Sequence, residues 1–172
     1  INTNMKIAIL GSGGREHAIA FSVSKSKKIK QIYCIPGNAG TNELGENINI
    51  EILDFKKIHD FIIDKRIDLV IVGPEDPLVN GIVDYLEKFK IQVFGPNKIA
   101  SRLEGSKIFT KNICKNYNIP TSRFEIFENR EDSKKFLKNA EHPLVIKADN
   151  LAAGKGVYIC KNIYESNLAV EE

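Results

Sequence analysis

The chain has 172 residues and a mass of 19.3 kDa, room for one full domain or two small ones. Hydrophobic residues make up 42% and charged residues 27%, which excludes disordered and collagen-like chains, and no apolar run is long enough to cross a bilayer. The net charge of +3 is too small, and the lysines too scattered, for a dedicated nucleic-acid or membrane-surface binder.

Residues 1–4 stand outside the fold argument, and no signal peptide is expected. Residues 6–10 form a continuous apolar run closed by Gly11, the pattern of a strand buried on both faces. A helix follows over 16–25, with Ala18, Ile19 and Phe21 toward the sheet; Lys25, Lys27, Lys28 and Lys30 read as its solvated end. A second strand is predicted at 31–35. Asp54 is placed to cap a helix carrying Phe55, Ile58, Phe61 and Ile62 at helical spacing. A third strand spans 68–72, closed by Gly73 and Pro74; a helix covers 81–89; a fourth strand covers 91–94, closed by Gly95 and Pro96. Alternating strands and helices predict right-handed βαβ units and an open parallel sheet.

The pattern changes after Pro96. Helices are predicted at 98–103 and 106–117, broken at Gly105 and ended before Pro120. A strand at 123–127, an amphipathic helix at 131–138 and strands at 144–148 and 157–160 follow, the last two joined by a Gly-rich loop, 149–156. Residues 163–172 read as a helix cut off before its end. This is a second, α+β unit. Cys34, Cys114 and Cys160 have no metal-ligand spacing and form no disulfide framework; they read as buried small hydrophobes in a reducing, cytoplasmic setting.

Three loops are expected to leave the carboxyl edge of the sheet and converge on one cleft. The first carries Gly11, Gly13, Gly14 and Arg15 ahead of a helix, where backbone N–H groups and the helix dipole favour an anion. It is not a dinucleotide fingerprint: Glu16 stands where the third glycine belongs, and the second strand ends Ile35-Pro36-Gly37 without a ribose-binding acid. The second loop brings Asn38 and Thr41, the third Glu75. Donors, an arginine and carboxylates together suit a phosphorylated sugar. A fourth loop, between Lys147 and Gly156, carries Gly154 and Lys155 but is not a Walker A loop. Lys147 lies in an apolar strand, where an unpaired ammonium is costly; with Lys155 it suits a lid over nucleotide phosphates.

Read together, GSGGREHA (11–18), PGNAGT (36–41), VGPEDPLVNGIVD (72–84), FGP (94–96), LEGSKIFTK (103–111) and VIKADNLAAGKGV (145–157) resemble the phosphoribosylamine–glycine ligase (glycinamide ribonucleotide synthetase) family of purine biosynthesis, in the ATP-grasp superfamily. Asn150 departs from the family's usual glycine, and the family's chains are much longer. The resemblance implies an α/β fold: an open parallel-sheet, Rossmann-like pre-ATP-grasp domain at 5–100, a helical linker at 101–119, and an incomplete ATP-grasp lid subdomain at 120–172. It implies a ligase joining glycine to phosphoribosylamine through a glycyl phosphate, with ATP and magnesium, the metal's ligands lying beyond this chain, so that this segment alone lacks full activity. It places Lys107, Lys147, Gly154, Lys155 and Gly156 at ATP, and Gly13, Gly14, Arg15, Asn38, Thr41 and Glu75 at phosphoribosylamine. Partners are then small molecules, with no nucleic acid, no membrane and no oligomeric state assigned. The competing readings are another ATP-grasp ligase or carboxylase, a nicotinamide-dependent oxidoreductase, and a non-catalytic sugar-phosphate-binding fragment.

Overall fold

A computed structural model describes residues 4–149 and 156–172. The chain divides into two units, 1–102 and 103–172.

The first unit is a five-stranded parallel sheet. β1 (Met5–Gly11) leads into α1 (Gly14–Ser24), then β2 (Ile29–Pro36), a 3-10 turn (Thr41–Glu43) and the two-residue β3 (Glu46–Asn47). α2 (Phe55–Lys65) crosses to β4 (Leu69–Val72); α3 (Glu75–Val79), α4 (Ile82–Glu87), β5 (Val93–Phe94) and α5 (Lys98–Gly105) follow. The strand order is β3-β2-β1-β4-β5. The chain therefore winds outward from β1 to β3, returns to β4 on β1's other side, and creates its switch point between the ends of β1 and β4.

Both sheet faces are covered, which is why β1 is apolar from Ile7 onward and β4 is apolar throughout. Ile7 and Ile9 of β1 pack with Ala20 of α1 on one face, while Ala8 and Leu10 pack with Ile58 and Ile62 of α2 and Leu86 of α4 on the other. Asp54 caps α2 by accepting from the Lys57 N–H at 3.1 Å, as its position predicted. The inward face of α1 differs from the expected one. It is Glu16, Ile19, Ala20 and Val23, whereas Ala18 and Phe21 are exposed. The Phe21 ring lies under the Lys25 ammonium, 3.9 Å from its centroid, a contact that shelters an aromatic at the surface.

The second unit contains α6 (Lys107–Asn116), α7 (Arg130–Leu137), an antiparallel pair β6 (Leu144–Lys147) and β7 (Val157–Cys160), and α8 (Ile163–Glu171). The strand predicted at 123–127 is absent; residues 121–127 are neither helix nor strand. The start of this stretch bonds to a side chain instead of a ladder: the Lys111 ammonium donates to Thr121 Oγ1 (2.6 Å), the Ser122 carbonyl (3.1 Å) and Ser122 Oγ (2.9 Å), and lies 5.1 Å from the Phe124 ring centroid.

Candidate functional site

In the first unit the loops after β1 and β4 do converge. Arg15 spans them: Nη1 donates to the Gly73 carbonyl at 2.6 Å and Nη2 to Glu75 Oε1 at 3.0 Å. A cleft of about 530 Å³ opens beside them, lined by Gly13, Gly14, Arg15, Pro74, Glu75 and Asp76 among others. It lies at the switch point of the sheet and at the start of α1, whose first-turn amides have no carbonyl partner within the helix. The Glu75 carboxyl is held below its usual range, first by its own backbone N–H and then by the Arg15 guanidinium.

Glu16, which excluded a dinucleotide loop, has a structural duty. It is 4% exposed. Its Oε2 accepts from the Gly13 N–H at 2.7 Å, the reach-back half of a capping box. A Cβ on either Gly11 or Gly73 would collide with the Glu16 side chain, and Gly11 holds φ at +127°, so glycine is required on both sides of this carboxylate.

Asn38 and Thr41 are placed differently from each other. Asn38 Nδ2 donates to the Ser12 carbonyl at 2.9 Å and thereby holds the first loop. Thr41 is fully buried. Its hydroxyl accepts from the Asn38 N–H at 2.7 Å and lies 2.7 Å from Asn47 Oδ1, while its own N–H donates to Asn38 Oδ1 at 3.0 Å. Asn47 Nδ2 donates to the Asn38 carbonyl at 2.6 Å. Asn47 was missed in the sequence because β3 is only two residues long. The reciprocal Asn38–Thr41 turn, with side chain and amide three residues apart, was the available signal.

In the second unit, β6 and β7 pair Val145 with Ile159 and Lys147 with Val157. Leu144, Ile146, Tyr158 and Cys160 form the more covered face. Val145, Val157 and Ile159 are 49%, 45% and 72% exposed on the opposite face, which Lys147 shares. Lys147 is itself exposed, so the desolvation argument for it does not hold. Its position at the end of an open apolar plate replaces that argument. The Ala148 N–H donates to the Gly156 carbonyl at 2.9 Å and closes the loop between the strands; Gly156 has φ +73°. Gly154, Lys155 and Asn150 lie outside the described residues. Lys107 is the first residue of α6. Ser106 caps that helix, accepting from the Phe109 N–H at 3.0 Å, and Asp149 accepts from the Ile108 N–H at 2.9 Å and from Ser106 Oγ at 3.0 and 3.1 Å.

Among the described residues no group of three or more His, Cys, Asp or Glu side chains could hold a metal ion, and no helix is long and apolar enough to cross a membrane.

Comparison with known proteins gives the following. Residues 5–104 match the model of the phosphoribosylglycinamide synthetase N domain, and residues 105–172 that of the phosphoribosylglycinamide synthetase ATP-grasp (A) domain. The phosphoribosylamine–glycine ligase of Caldanaerobacter subterraneus subsp. tengcongensis is 48% identical over 162 residues, covering 94% of this chain and 39% of its own length. The crystal structure of the phosphoribosylamine–glycine ligase of Thermotoga maritima is 35% identical with a TM-score of 0.75, over 95% of this chain and 38% of that one. The biotin carboxylase domain of Hydrogenobacter thermophilus 2-oxoglutarate carboxylase, solved with MgADP, ADP and bicarbonate, has a TM-score of 0.73 at 21% identity, over 93% of this chain and 38% of that one; that likeness concerns the fold alone. The chain thus spans roughly two fifths of the length of the curated relatives it matches, 39% in the first case.

Proposed function

Because the chain belongs to the phosphoribosylglycinamide synthetase family, we propose that it is the portion of an ATP-dependent carbon–nitrogen ligase that holds phosphoribosylamine and covers ATP. In this reading a glycine carboxylate oxygen takes the terminal phosphoryl group of ATP, releasing ADP. The amine of phosphoribosylamine then attacks the acyl carbon, and phosphate leaves as the amide bond forms. A carboxylate is a poor acyl donor until one oxygen is turned into a leaving group, and the positions of donors and cations govern how well that charge is neutralised.

The observation that carries the reading is the Arg15 bridge between the loops at the switch point. Gly13 and Gly14 bring backbone to the cleft and the α1 dipole favours the sugar's phosphate. Arg15 adds positive charge beside it. Glu75 is suited to accept from ribose hydroxyls or the amine. Asn38 and Thr41 act by holding the first loop in place. In the second unit the apolar plate of Val145, Val157 and Ile159 suits a purine face, and Lys147 at its end suits the phosphates; Lys107, Gly154, Lys155 and Gly156 complete the proposed ATP set.

By function we assign 5–100 to a pre-ATP-grasp domain, 101–119 to a helical linker and 120–172 to an ATP-grasp lid. Magnesium is the metal this reading calls for. The described residues hold no group of three or more carboxylate, His or Cys side chains that fits it. Three free thiols and small-molecule substrates suit the cytoplasm.

Calorimetric titration of the full-length ligase tests the division of labour. Lys147→Ala is expected to weaken ATP binding about ten- to a hundredfold, the worth of a charge-assisted hydrogen bond, with affinity for glycinamide ribonucleotide unchanged. Arg15→Ala is expected to do the reverse. Equal loss of both ligands in either variant overturns the assignment.

A further inference from the structure

We infer that Asp149 is a positioning residue for the nucleotide phosphates, acting as a latch that fixes Lys107 relative to Lys147. The inference rests on the ATP assignment above and extends it to a residue that contacts no ligand itself.

A carboxylate beside a polyphosphate site opposes binding unless its charge is engaged. That of Asp149 is engaged within the protein. Its oxygens accept from the Ile108 N–H at 2.9 Å and from the Ser106 hydroxyl at 3.0 and 3.1 Å. Both donors flank Lys107, Ser106 as the cap of α6 and Ile108 in its first turn, where a negative charge also meets the positive end of the helix dipole. The Ser106 hydroxyl in turn accepts from the Phe109 N–H at 3.0 Å, so the latch and the helix cap are one chain of hydrogen bonds. Asp149 stands two residues after Lys147, just past the end of β6, and the next ladder bond, Ala148 N–H to the Gly156 carbonyl at 2.9 Å, fixes the backbone between them. One carboxylate thus joins the strand bearing one lysine to the helix bearing the other, across more than 40 residues of sequence. Asn at this position would keep the acceptor and lose the charge; Ala would lose both.

The test measures ATP dissociation constants of the full-length ligase by calorimetry for Asp149→Ala, Asp149→Asn, Lys107→Ala and the double variant Asp149→Ala/Lys107→Ala. Releasing Lys107 from the phosphates is expected to cost about tenfold in ATP affinity, the lower end of what a hydrogen bond to a charged group is worth. Asp149→Ala is expected to show it, with glycinamide ribonucleotide affinity unchanged, and Asp149→Asn is expected to recover most of it. Because Asp149 acts through Lys107, the double variant is expected to bind ATP within about twofold of Lys107→Ala alone. Multiplying effects in the double variant, or an Asp149→Ala affinity within about twofold of the parent, overturns the latch while leaving the ATP assignment standing. Should Asp149→Ala fail to fold, Ser106→Ala and Asp149→Asn carry the same comparison with Lys107→Ala. Normal ATP affinity in Lys147→Ala overturns the ATP assignment and the latch with it.

Discussion

Glu75 and Arg15 are the pair whose chemistry reaches the solvent. Glu75 titrates below the ordinary carboxyl range because its own backbone N–H and the Arg15 guanidinium favour the charged form. A depressed carboxyl stabilises the fold above its unfolded value, near 4.3 for Glu, and that contribution is lost as pH falls through the lower folded value. The side chains of Arg15 and Glu75 are 60% and 35% exposed, so solvent screening keeps the effect small. Glu75→Gln is expected to flatten the acid limb of the stability-versus-pH curve, measured by urea midpoints: a small loss near neutrality, where the charged carboxyl contributes, that fades toward low pH, where the parent's carboxyl is itself protonated. A variant whose loss of stability persists undiminished at low pH would show that the contact, not the charge, holds Gly73 and Arg15 together. Glu16 presents the opposite case: a carboxylate enclosed by Gly11 and Gly73 and committed to the Gly13 amide. The two acids lie close to the same loop, yet only Glu75 is available to a ligand.

The three loops of the first unit are held by different devices, and this governs how much could be read in advance. The sheet itself was legible, because β1 and β4 are buried on both faces and their apolar runs have no other use. The convergence of the β1 and β4 loops followed from the alternation of elements. What periodicity could not supply was the tie between Thr41 and Asn47, since β3 is too short to have a pattern, and the inward face of α1, where a buried glutamate takes a place that an apolar residue was expected to fill. The strand expected at 123–127 failed for a related reason: its alternating apolar residues carry no information about a pairing partner, and Lys111 takes the polar groups of 121–122. Asp84 is likewise structural, its Oδ2 accepting from the Lys98 N–H at 2.7 Å at the start of α5. The Thr41 tie is testable. Thr41→Val preserves shape but strips a buried acceptor from the Asn38 amide and a partner from Asn47. It is expected to cost about 1–3 kcal/mol in stability and to weaken glycinamide ribonucleotide binding by freeing Asn38 from the Ser12 loop. Unchanged ligand affinity despite the stability loss would confine Thr41 to folding.

The two units differ in how much they enclose. The first buries strand residues on both faces of its sheet, with Ala8, Ile9, Leu10, Cys34, Ile35 and Val70 all at zero exposure. In the second, the buried side chains among the described residues are Leu137, Cys160 and Ser166. Beyond partly exposed contacts such as the Phe127–Phe136 ring pair, centroids 5.2 Å apart, its ties are polar: Arg130 and Lys134 of α7 pair with Glu171 of α8, and His142 Nε2 lies 2.8 Å from the buried Ser166 hydroxyl. Exposed ion pairs contribute little, and a two-stranded sheet with one open face is marginal by itself. Opening free energies follow enclosed apolar contact, so backbone amides in the two units should exchange at different rates. Hydrogen exchange on the 172-residue chain is expected to be at least about tenfold slower at 7–10 and 70–72 than at 144–147 and 157–160. Saturating ATP should narrow that gap if the plate of Val145, Val157 and Ile159 receives the purine, because a ligand that binds only the closed ladder stabilises it by mass action. Equal protection in the two units without any nucleotide would mean that the open face of the β6–β7 pair is already covered in solution, and the purine would then have to be placed elsewhere.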